Sequence, residues 1–274
     1  MTTAAKKSAV QALGDVFKSN AQRAIQFNYN QGCWIRVETK RRLKGVRSTL
    51  TRTCWPSYDY REAERLFPTS SSVRVKTGIK GGKRPQTAAN RGRRRAQLVH
   101  QQLAMVAQRG FKSMQKHYSE KKNKPVHKFV RALCNAFEEQ HWTLLASEMP
   151  VFNECFGSAI DLIALNEKTQ RLVLIELKVG GDNYHRKSSG SLEGCLAETN
   201  FDNSPLNQAH AQLCAYRILF ERCYSQYIEP HMIGASCVVF VGESGVAIYP
   251  MDFRKRAAFS KPLGAFLYES AEKV

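Results

Sequence analysis

Two charged residues, Glu176 and Lys178, interrupt an otherwise apolar run, RLVLIELKVG, at residues 171–180. The Leu, Val and Ile content of this run predicts a buried β-strand. Because side chains alternate between the two faces of a strand, Glu176 and Lys178 share a face and Leu177 is expected to face the core. Burying a charge is costly unless it is paired or binds a metal. The structural alternative is an edge strand with one solvated face.

Asp161 supplies a second carboxylate close to this strand. It follows GSAI and begins the apolar run DLIAL, and the polar turn NEKTQR separates the two runs. Segments 157–165 and 171–179 are therefore predicted to form an antiparallel hairpin that brings Asp161 towards Glu176. Two adjacent carboxylates repel unless a cation lies between them, and Mg²⁺ or Mn²⁺ suits oxygen ligands. Such an ion polarises a phosphodiester and acidifies water, and Lys178 can orient that water.

The spacing of Asp161 and Glu176-Leu177-Lys178 resembles the D…(D/E)-x-K core of the PD-(D/E)XK nuclease superfamily. The predicted elements follow a similar order. A helix from His127 is followed by three strands at 141–152, 157–165 and 171–179, a second helix at 205–227, and two further strands at 232–241 and 246–250. The resemblance covers roughly residues 125–250. It implies an α/β (α+β) fold with a restriction-endonuclease-like core, in which a central mixed sheet of about five strands is flanked by helices in the order αβββαβ. It also implies that Asp161, Glu176 and the backbone carbonyl of Leu177 hold the ion.

The predicted helix after Pro205 carries Gln208, Gln212 and Tyr216, which are spaced by four and share one face. Gln212-x-x-x-Tyr216 resembles the Q-x-x-x-Y motif of the RecB-like and lambda-exonuclease-like branch of the superfamily. In that branch the helix flanks the active site and contacts substrate or orients the carboxylates. The alternative is an ordinary helix whose polar residues face water.

Three upstream positions also match this branch. The resemblance implies that His127, at the start of the helix before the first strand, can complete the metal shell, and that Glu148, at the end of that strand, binds a second metal or holds a water. A surface histidine and a solvated glutamate are the alternatives. Gly157, four residues before Asp161, resembles the branch's G-x-x-D form with one additional residue, and a small residue there permits close approach of backbone or substrate.

The polar segment 180–204 is long for a connection inside a compact domain. It carries Arg186 and Lys187 next to the predicted site, so we expect these residues to contact substrate phosphates. The alternative is a surface loop without such a role.

Charge is distributed unevenly along the chain. Residues 1–125 carry 28 Lys and Arg against 6 Asp and Glu, whereas residues 126–274 carry 14 against 17, so their net charges are +22 and −3. A basic region attached to a near-neutral body is typical of proteins that act on nucleic acid. We predict a basic N-terminal extension over 1–124 that contacts nucleic acid and a nuclease-like domain over 125–274. The alternative is a basic tail that serves targeting or solubility.

The predicted extension divides into segments of different character. Residues 4–27 are predicted to form an amphipathic helix, and residues 33–57 a basic β-hairpin or a plain structured extension. Residues 69–95 are predicted to be a flexible basic linker, and residues 96–118 a second helix. The function of residues 28–95 stays open.

Composition limits the compartment and the partners. There is no apolar run of about 18 residues, so no membrane span is expected, and no secretory cleavage pattern is found. The eight cysteines are scattered and form no C-x-x-C motif, which favours a reducing intracellular setting. Nucleus and cytoplasm fit best, the first helix also suits a mitochondrial presequence, and the oligomeric state is open.

These observations predict a Mg²⁺- or Mn²⁺-dependent DNA nuclease with Asp161, Glu176 and Lys178 as its catalytic residues. The Q-x-x-x-Y branch favours an exonuclease that acts on DNA ends in replication, recombination or repair, on single- or double-stranded DNA. The alternatives are a junction resolvase of the same superfamily and a non-catalytic basic nucleic-acid-binding protein. The choice between DNA and RNA stays open.

Overall fold

A mixed β-sheet runs through the residues that the computed structural model describes, namely 25–28, 33–55, 88–120, 125–180 and 190–272. Its strands in chain order are β1 (Ile25–Asn28), β2 (Cys33–Arg36), β3 (Arg42–Gly45), β4 (Trp142–Phe152), β5 (Phe156–Asn166), β6 (Arg171–Val179), β7 (Ile233–Gly242) and β8 (Gly245–Pro250). Across the sheet the order is β1-β2-β3-β5-β6-β7-β8, and β4 pairs with β5 outside this path.

Helices cover both faces of the sheet. They are α1 (Val46–Thr53), α2 (Ala88–Arg109), α3 (Phe111–Glu120), α4 (Lys128–Glu139), α5 (Pro205–Cys223) and α6 (Phe253–Glu272), with short 3-10 helices at Gly194–Thr199 and Pro230–Met232. Helices α1, α5 and α6 share one apolar core with Leu172 and Leu174 of β6, and α2, α3 and α4 share another with Val173 and Ile175. This arrangement confirms the predicted α/β architecture of a central mixed sheet flanked by helices.

Strand β6 lies in the middle of the sheet, antiparallel to β5 and parallel to β7. The edge-strand alternative for residues 171–180 is therefore wrong. An unbroken apolar run fits this position because helices bury both faces of the strand. Leu177 lies in the core on the α4 side, as predicted from the alternation of side chains.

Strand β5 has partners along both of its edges. Strand β4 pairs with it over nearly its whole length, so β3 and β6 must share the opposite edge. There β3 pairs in parallel with Phe156 and Gly157, and β6 pairs with residues 162–166. Residues 158–161 lie between these two stretches and pair with neither strand. The sheet therefore opens at the point where β5 carries Asp161.

Gly157 allows β2 and β3 to approach β5 closely, as the prediction for a small residue requires. A Cβ atom at this position would lie 2.9 Å from Trp34 Cβ and 3.0 Å from Leu43 Cδ1. The close neighbours are therefore side chains from the N-terminal part of the chain.

The described part of residues 1–124 shares its sheet and its cores with the rest of the chain. Strand β3 pairs with β5, and Val99, Leu103 and Met114 of α2 and α3 lie in the same core as α4. Helix packing against the sheet thus crosses the predicted division at 124/125, and a separate role for the basic extension stays a prediction.

The predictions for individual N-terminal segments meet the structure in part. The predicted helix over 4–27 lies outside the described residues except at its end, which belongs to β1. Segment 33–57 contains β2 and β3 but continues as α1, so it is more than a hairpin. Of the predicted linker 69–95, the described residues from 88 onwards form the start of α2, and 96–118 is helical in α2 and α3 as predicted.

Helix α5 begins as its sequence predicts. Ser204 caps it by accepting a hydrogen bond from Asn207 N at 3.3 Å, and Pro205 occupies the first turn. Among the described residues, none of the helices has the length and apolar character needed to cross a membrane.

Candidate active site

Asp161 of β5 and Leu177 of β6 are joined by a hydrogen bond across the hairpin. Leu177 N donates to Asp161 Oδ2 at 2.7 Å. The register pairs Leu162 with Ile175, so Asp161 lies next to Glu176 along the opening of the sheet. The predicted hairpin therefore forms and brings the two carboxylates together. This contact involves the Leu177 N–H group. The prediction that the Leu177 carbonyl binds the metal ion stays a prediction.

Glu176 is a buried carboxylate with only one of its oxygens satisfied. Its side chain is about 3% exposed. Oε1 accepts from Lys178 Nζ at 2.5 Å and from Gln212 Nε2 at 2.7 Å. Oε2 is buried and has no hydrogen-bond partner among the described residues. A buried charged oxygen without a partner is energetically costly. A cation bound to this atom would remove that cost.

Lys178 and Glu176 point to the same face of β6, as their spacing predicts. The lysine side chain is 22% exposed, while the glutamate lies deeper. The ammonium group is therefore bound to the carboxylate on one side and open to solvent on the other. It can neutralise charge on a group that approaches from solvent.

Helix α5 holds Glu176 from the opposite side through Gln212 and Tyr216. Gln212 Nε2 also donates to the hydroxyl oxygen of Tyr216 at 2.8 Å. Burial, followed by the negative charge of Glu176, raises the pKa of Tyr216 well above its ordinary range, against a lowering by its hydrogen bond with Ser158. Tyr216 is therefore a neutral phenol that fixes the glutamine amide, and the alternative of solvated polar residues is wrong for this pair.

Three potential metal ligands converge beside this network: His100 of α2, Glu148 of β4 and Asp161 of β5. One ligand atom from each lies within 4.8 Å of the others. His100 Nδ1 and Glu148 Oε1 are 2.8 Å apart. Two carboxylates and an imidazole at this spacing could hold a metal ion. Glu176 lies outside this trio.

Glu148 faces Asp161 and has an unusual backbone conformation. The flanking pairs Ser147–Leu162 and Met149–Ile160 place it opposite Asp161 across β4 and β5. Its φ is +50°, in the left-handed region that non-glycine residues seldom adopt and that is enriched at functional sites. The strand is thus distorted at the residue whose carboxylate joins the cluster.

The charges of the cluster act on one another. Burial, and next the charge of Glu176, raises the pKa of Asp161 to about 8, against a lowering by His100. Burial alone would lower the pKa of His100, but its hydrogen bond to Glu148 and the charges of Asp161 and Glu148 raise it. The imidazolium of His100 thus compensates the carboxylates. A metal ion must displace its proton, because only neutral imidazole binds metal.

Other predicted site residues lie elsewhere. His127 caps α4, where its Nδ1 accepts from Phe129 N at 3.1 Å, and it is not part of the trio. Gln208 donates to Asn203 Oδ1 at 2.7 Å, away from Glu176. Arg186 and Lys187 lie outside the described residues.

Sequence reasoning missed His100. Its helix was predicted from apolar periodicity, but it was assigned to the extension and not to the site. The available signal was its position one residue after Val99 on a helix that presents an apolar face to the sheet, which places the histidine at the border of that face.

Arg47, in the first turn of α1, adds a positive charge near the site. It is exposed, and its charge lowers the pKa of Tyr216 against the larger effects of burial and Glu176. Strand β3 brings it here, because Gly45 pairs with Gly157 immediately before Ser158.

Comparison of the chain with known protein families and curated proteins does not identify the function of this site. The chain matches no model of a known protein family, and it has no significant match among curated proteins. The chemistry of the site therefore has to be inferred from its own geometry.

Proposed function

We propose that this protein is a divalent-metal-dependent nuclease that hydrolyses phosphodiester bonds in DNA. The order α4-β4-β5-β6-α5-β7 is that expected for the αβββαβ core of the PD-(D/E)XK superfamily. Asp161, Glu176 and Lys178 occupy adjacent positions on the second and third strands of this order. Gln212 and Tyr216 lie on the following helix, as in the Q-x-x-x-Y branch.

One observation carries the proposal: Glu176 Oε2 is buried and has no hydrogen-bond partner in the described part of the chain, and it lies beside Asp161, whose pKa is raised. Both features are unfavourable in the absence of a cation and are relieved by one. Asp161 and Glu176 offer oxygens that suit Mg²⁺ or Mn²⁺. His100 and Glu148 lie close to Asp161 and add a further oxygen and a nitrogen, and the nitrogen suits Mn²⁺ better than Mg²⁺. A bound ion would neutralise charge on a phosphate oxygen and make water a stronger acid.

Side chains and backbone groups of the protein orient water and hold the two carboxylates in position. Lys178 places a positive charge at the border between the buried carboxylate and solvent, where it orients water and offsets charge that develops on the phosphate. Gln212 keeps Glu176 in position through a hydrogen bond that Tyr216 fixes in turn. Leu177 N does the same for Asp161. These contacts hold the reacting groups before substrate arrives.

A nucleic acid is favoured as substrate by the distribution of positive charge. Residues 1–125 have an excess of 22 basic residues over acidic ones, and release of counterions from a nucleic acid drives binding to such a region. Of the described basic residues, Arg47 lies next to the site on α1, and Arg93, Arg94 and Arg95 are exposed on α2, the helix that carries His100. We propose that these arginines contact phosphates of the substrate.

A second candidate is a nucleic-acid-binding protein without catalysis. The observation that favours it is the concentration of charge in residues 1–125, which needs no active site in order to bind phosphates. A role in binding alone does not explain why β6 buries the carboxylate of Glu176 next to Lys178.

Digestion of defined DNA distinguishes these candidates. Linear duplex, end-blocked duplex, single-stranded and circular DNA are incubated with protein and either Mg²⁺, Mn²⁺ or EDTA. We expect metal-dependent cutting that Lys178→Ala abolishes and that the matched variant Lys168→Ala, in the exposed turn between β5 and β6, leaves unchanged. Resistance of end-blocked and circular DNA assigns an exonuclease, and their cleavage assigns an endonuclease. Binding without cutting in every condition supports the second candidate.

A further inference from the structure

Cys54 and Cys195 bring two thiols together from distant parts of the chain. Their sulfur atoms are 3.3 Å apart, although 141 positions separate the residues in sequence. Cys54 immediately follows α1, and Cys195 lies in the 3-10 helix Gly194–Thr199. A disulfide requires about 2.05 Å between the sulfurs, so a movement of roughly 1 Å brings them to bonding distance.

The backbones on either side are also held together. Glu193 N donates to Cys54 O at 2.7 Å. Gly194 has φ +57°, and a Cβ atom there would lie 2.2 Å from Thr53 O. Only glycine permits this approach, so the 3-10 helix is docked on the end of α1 by its main chain. The two sulfurs are therefore close because of the fold and not because of one side-chain rotamer.

The two thiols differ in access. Cys195 is half-buried, whereas Cys54 is buried. The hydrogen bond between the two sulfurs lowers the pKa of Cys54 and raises that of Cys195, so the inner sulfur is the more easily ionised of the two. Burial raises the pKa of Cys134 and Cys237 to about 12.

We propose that Cys54 and Cys195 are a redox modification site that forms a reversible intrachain disulfide with small disulfides such as oxidised glutathione. This inference does not depend on the nuclease assignment. It turns the end of α1 and the 3-10 helix into one covalently joined unit next to α5, the helix that carries Gln212 and Tyr216.

The exchange is balanced in two steps. The Cys195 thiol gives its proton to solvent, and the resulting thiolate attacks one sulfur of oxidised glutathione and releases one glutathione thiolate. The Cys54 thiolate then attacks the Cys195 sulfur of the mixed disulfide and releases the second glutathione. Two protein thiols are oxidised and one glutathione disulfide is reduced to two thiols.

The bond closes a loop of 141 positions. Cross-links across long loops restrict the unfolded chain most, so the oxidised protein is expected to be the more stable form. Residues 190–203 are expected to exchange their amide hydrogens more slowly, because opening of the 3-10 helix away from α1 is then blocked.

The test uses the full chain treated with oxidised glutathione or with dithiothreitol. We expect a peptide that joins Cys54 to Cys195, a protein mass lower by that of two hydrogen atoms, and a melting temperature higher by roughly 5 °C or more. Dithiothreitol should reverse all three. Cys195→Ser should lose the cross-link and the oxidation-dependent shift, and Cys134→Ser, on the opposite face of the sheet, should keep both.

Two results would overturn the inference: glutathione attached to either cysteine without an intrachain bond, and both residues remaining as thiols. A cross-link that leaves the melting temperature unchanged would support the disulfide and contradict only the expected stabilisation. The wild-type result decides the matter even if a cysteine variant does not fold.

Discussion

The amide nitrogen of Gln212 lies 2.7 Å from Glu176 Oε1 and 2.8 Å from the Tyr216 hydroxyl oxygen. Its two N–H groups are thus divided between a buried carboxylate on the sheet and a buried phenol one turn along its own helix. Glu176 Oε1 also accepts from Lys178. This network fixes one oxygen of Glu176 and leaves the other without a partner among the described residues, which is the arrangement expected of a carboxylate that binds a cation.

Removing this support should weaken metal binding and catalysis together. Gln212→Ala leaves Glu176 without its donor from α5, and loss of such an orienting contact typically costs about 10–100-fold in metal affinity or activity. The measurement is the rate of DNA cleavage as a function of Mn²⁺ concentration. Gln208→Ala is the matched control, because Gln208 lies one turn earlier and bonds to Asn203 instead. Equal losses in the two variants would mean that the effect comes from α5 and not from the Glu176 contact.

Asp161→Asn should stabilise the metal-free protein near neutral pH. The folded pKa of Asp161 is raised to about 8 by burial and by Glu176, above an unfolded value of about 3.9. The stability that this group contributes is therefore fully present below pH ~4 and is lost as pH rises towards 8. In metal-free buffer the wild-type melting temperature should fall over this window more steeply than that of Asp161→Asn.

Adding Mn²⁺ at neutral pH should reverse the ranking of these two proteins, because the ion binds the folded wild type and stabilises it. The asparagine variant should gain little. A wild-type protein whose stability is unaffected by Mn²⁺ would argue against a cation site at Asp161.

His100 and His127 should respond differently to substitution. His100→Gln removes a potential ligand from the trio and should lower Mn²⁺ affinity by about tenfold or more. His127→Gln removes the cap of α4 and should lower the free energy of unfolding by about 0.5–2 kcal/mol while metal affinity is retained. Calorimetric titration and thermal unfolding separate the effects. If His127→Gln lowered Mn²⁺ affinity and His100→Gln did not, the result would support the sequence-based prediction that His127 completes the metal shell.

Arg47 should contribute to DNA binding as a single phosphate contact. Arg47→Ala should weaken binding to all sequences and reduce the slope of log affinity against log salt by about 1. Fluorescence anisotropy with labelled DNA in Ca²⁺ or EDTA measures this without cleavage. Arg52→Ala is the control, since Arg52 is exposed in the last turn of the same helix. If both variants behave alike, α1 carries no specific phosphate contact.

The sequence predicted that the carboxylates of β5 and β6 meet, because their relationship is local. Asp161 and Glu176 lie on consecutive strands joined by a short polar turn, and a hairpin leaves little freedom in how they meet. Lys178 follows from strand alternation, which is a property of neighbouring residues and needs no knowledge of the whole fold. The position of Gln212 and Tyr216 beside Glu176 was expected from their resemblance to the Q-x-x-x-Y motif, and helical spacing alone predicts only that they share a face.

The parts that sequence reasoning could not supply depend on distant packing. His100 reaches Glu148 only because α2 packs across the sheet, and β3 carries Arg47 to the site only through its parallel pairing with β5. The left-handed backbone of Glu148 leaves no pattern in an apolar strand. Such contacts are set by the tertiary fold, where local propensity has little influence.

The central claim is that the carboxylates of β5 and β6 share a divalent cation. It is tested most directly by calorimetric titration of Mn²⁺ into the metal-free wild type and into Glu176→Gln, which keeps the shape of the side chain and removes its charge. We predict saturable binding to the wild type that weakens at least tenfold in Glu176→Gln, with unchanged secondary structure by circular dichroism. Indistinguishable titrations of the two folded proteins would contradict the claim.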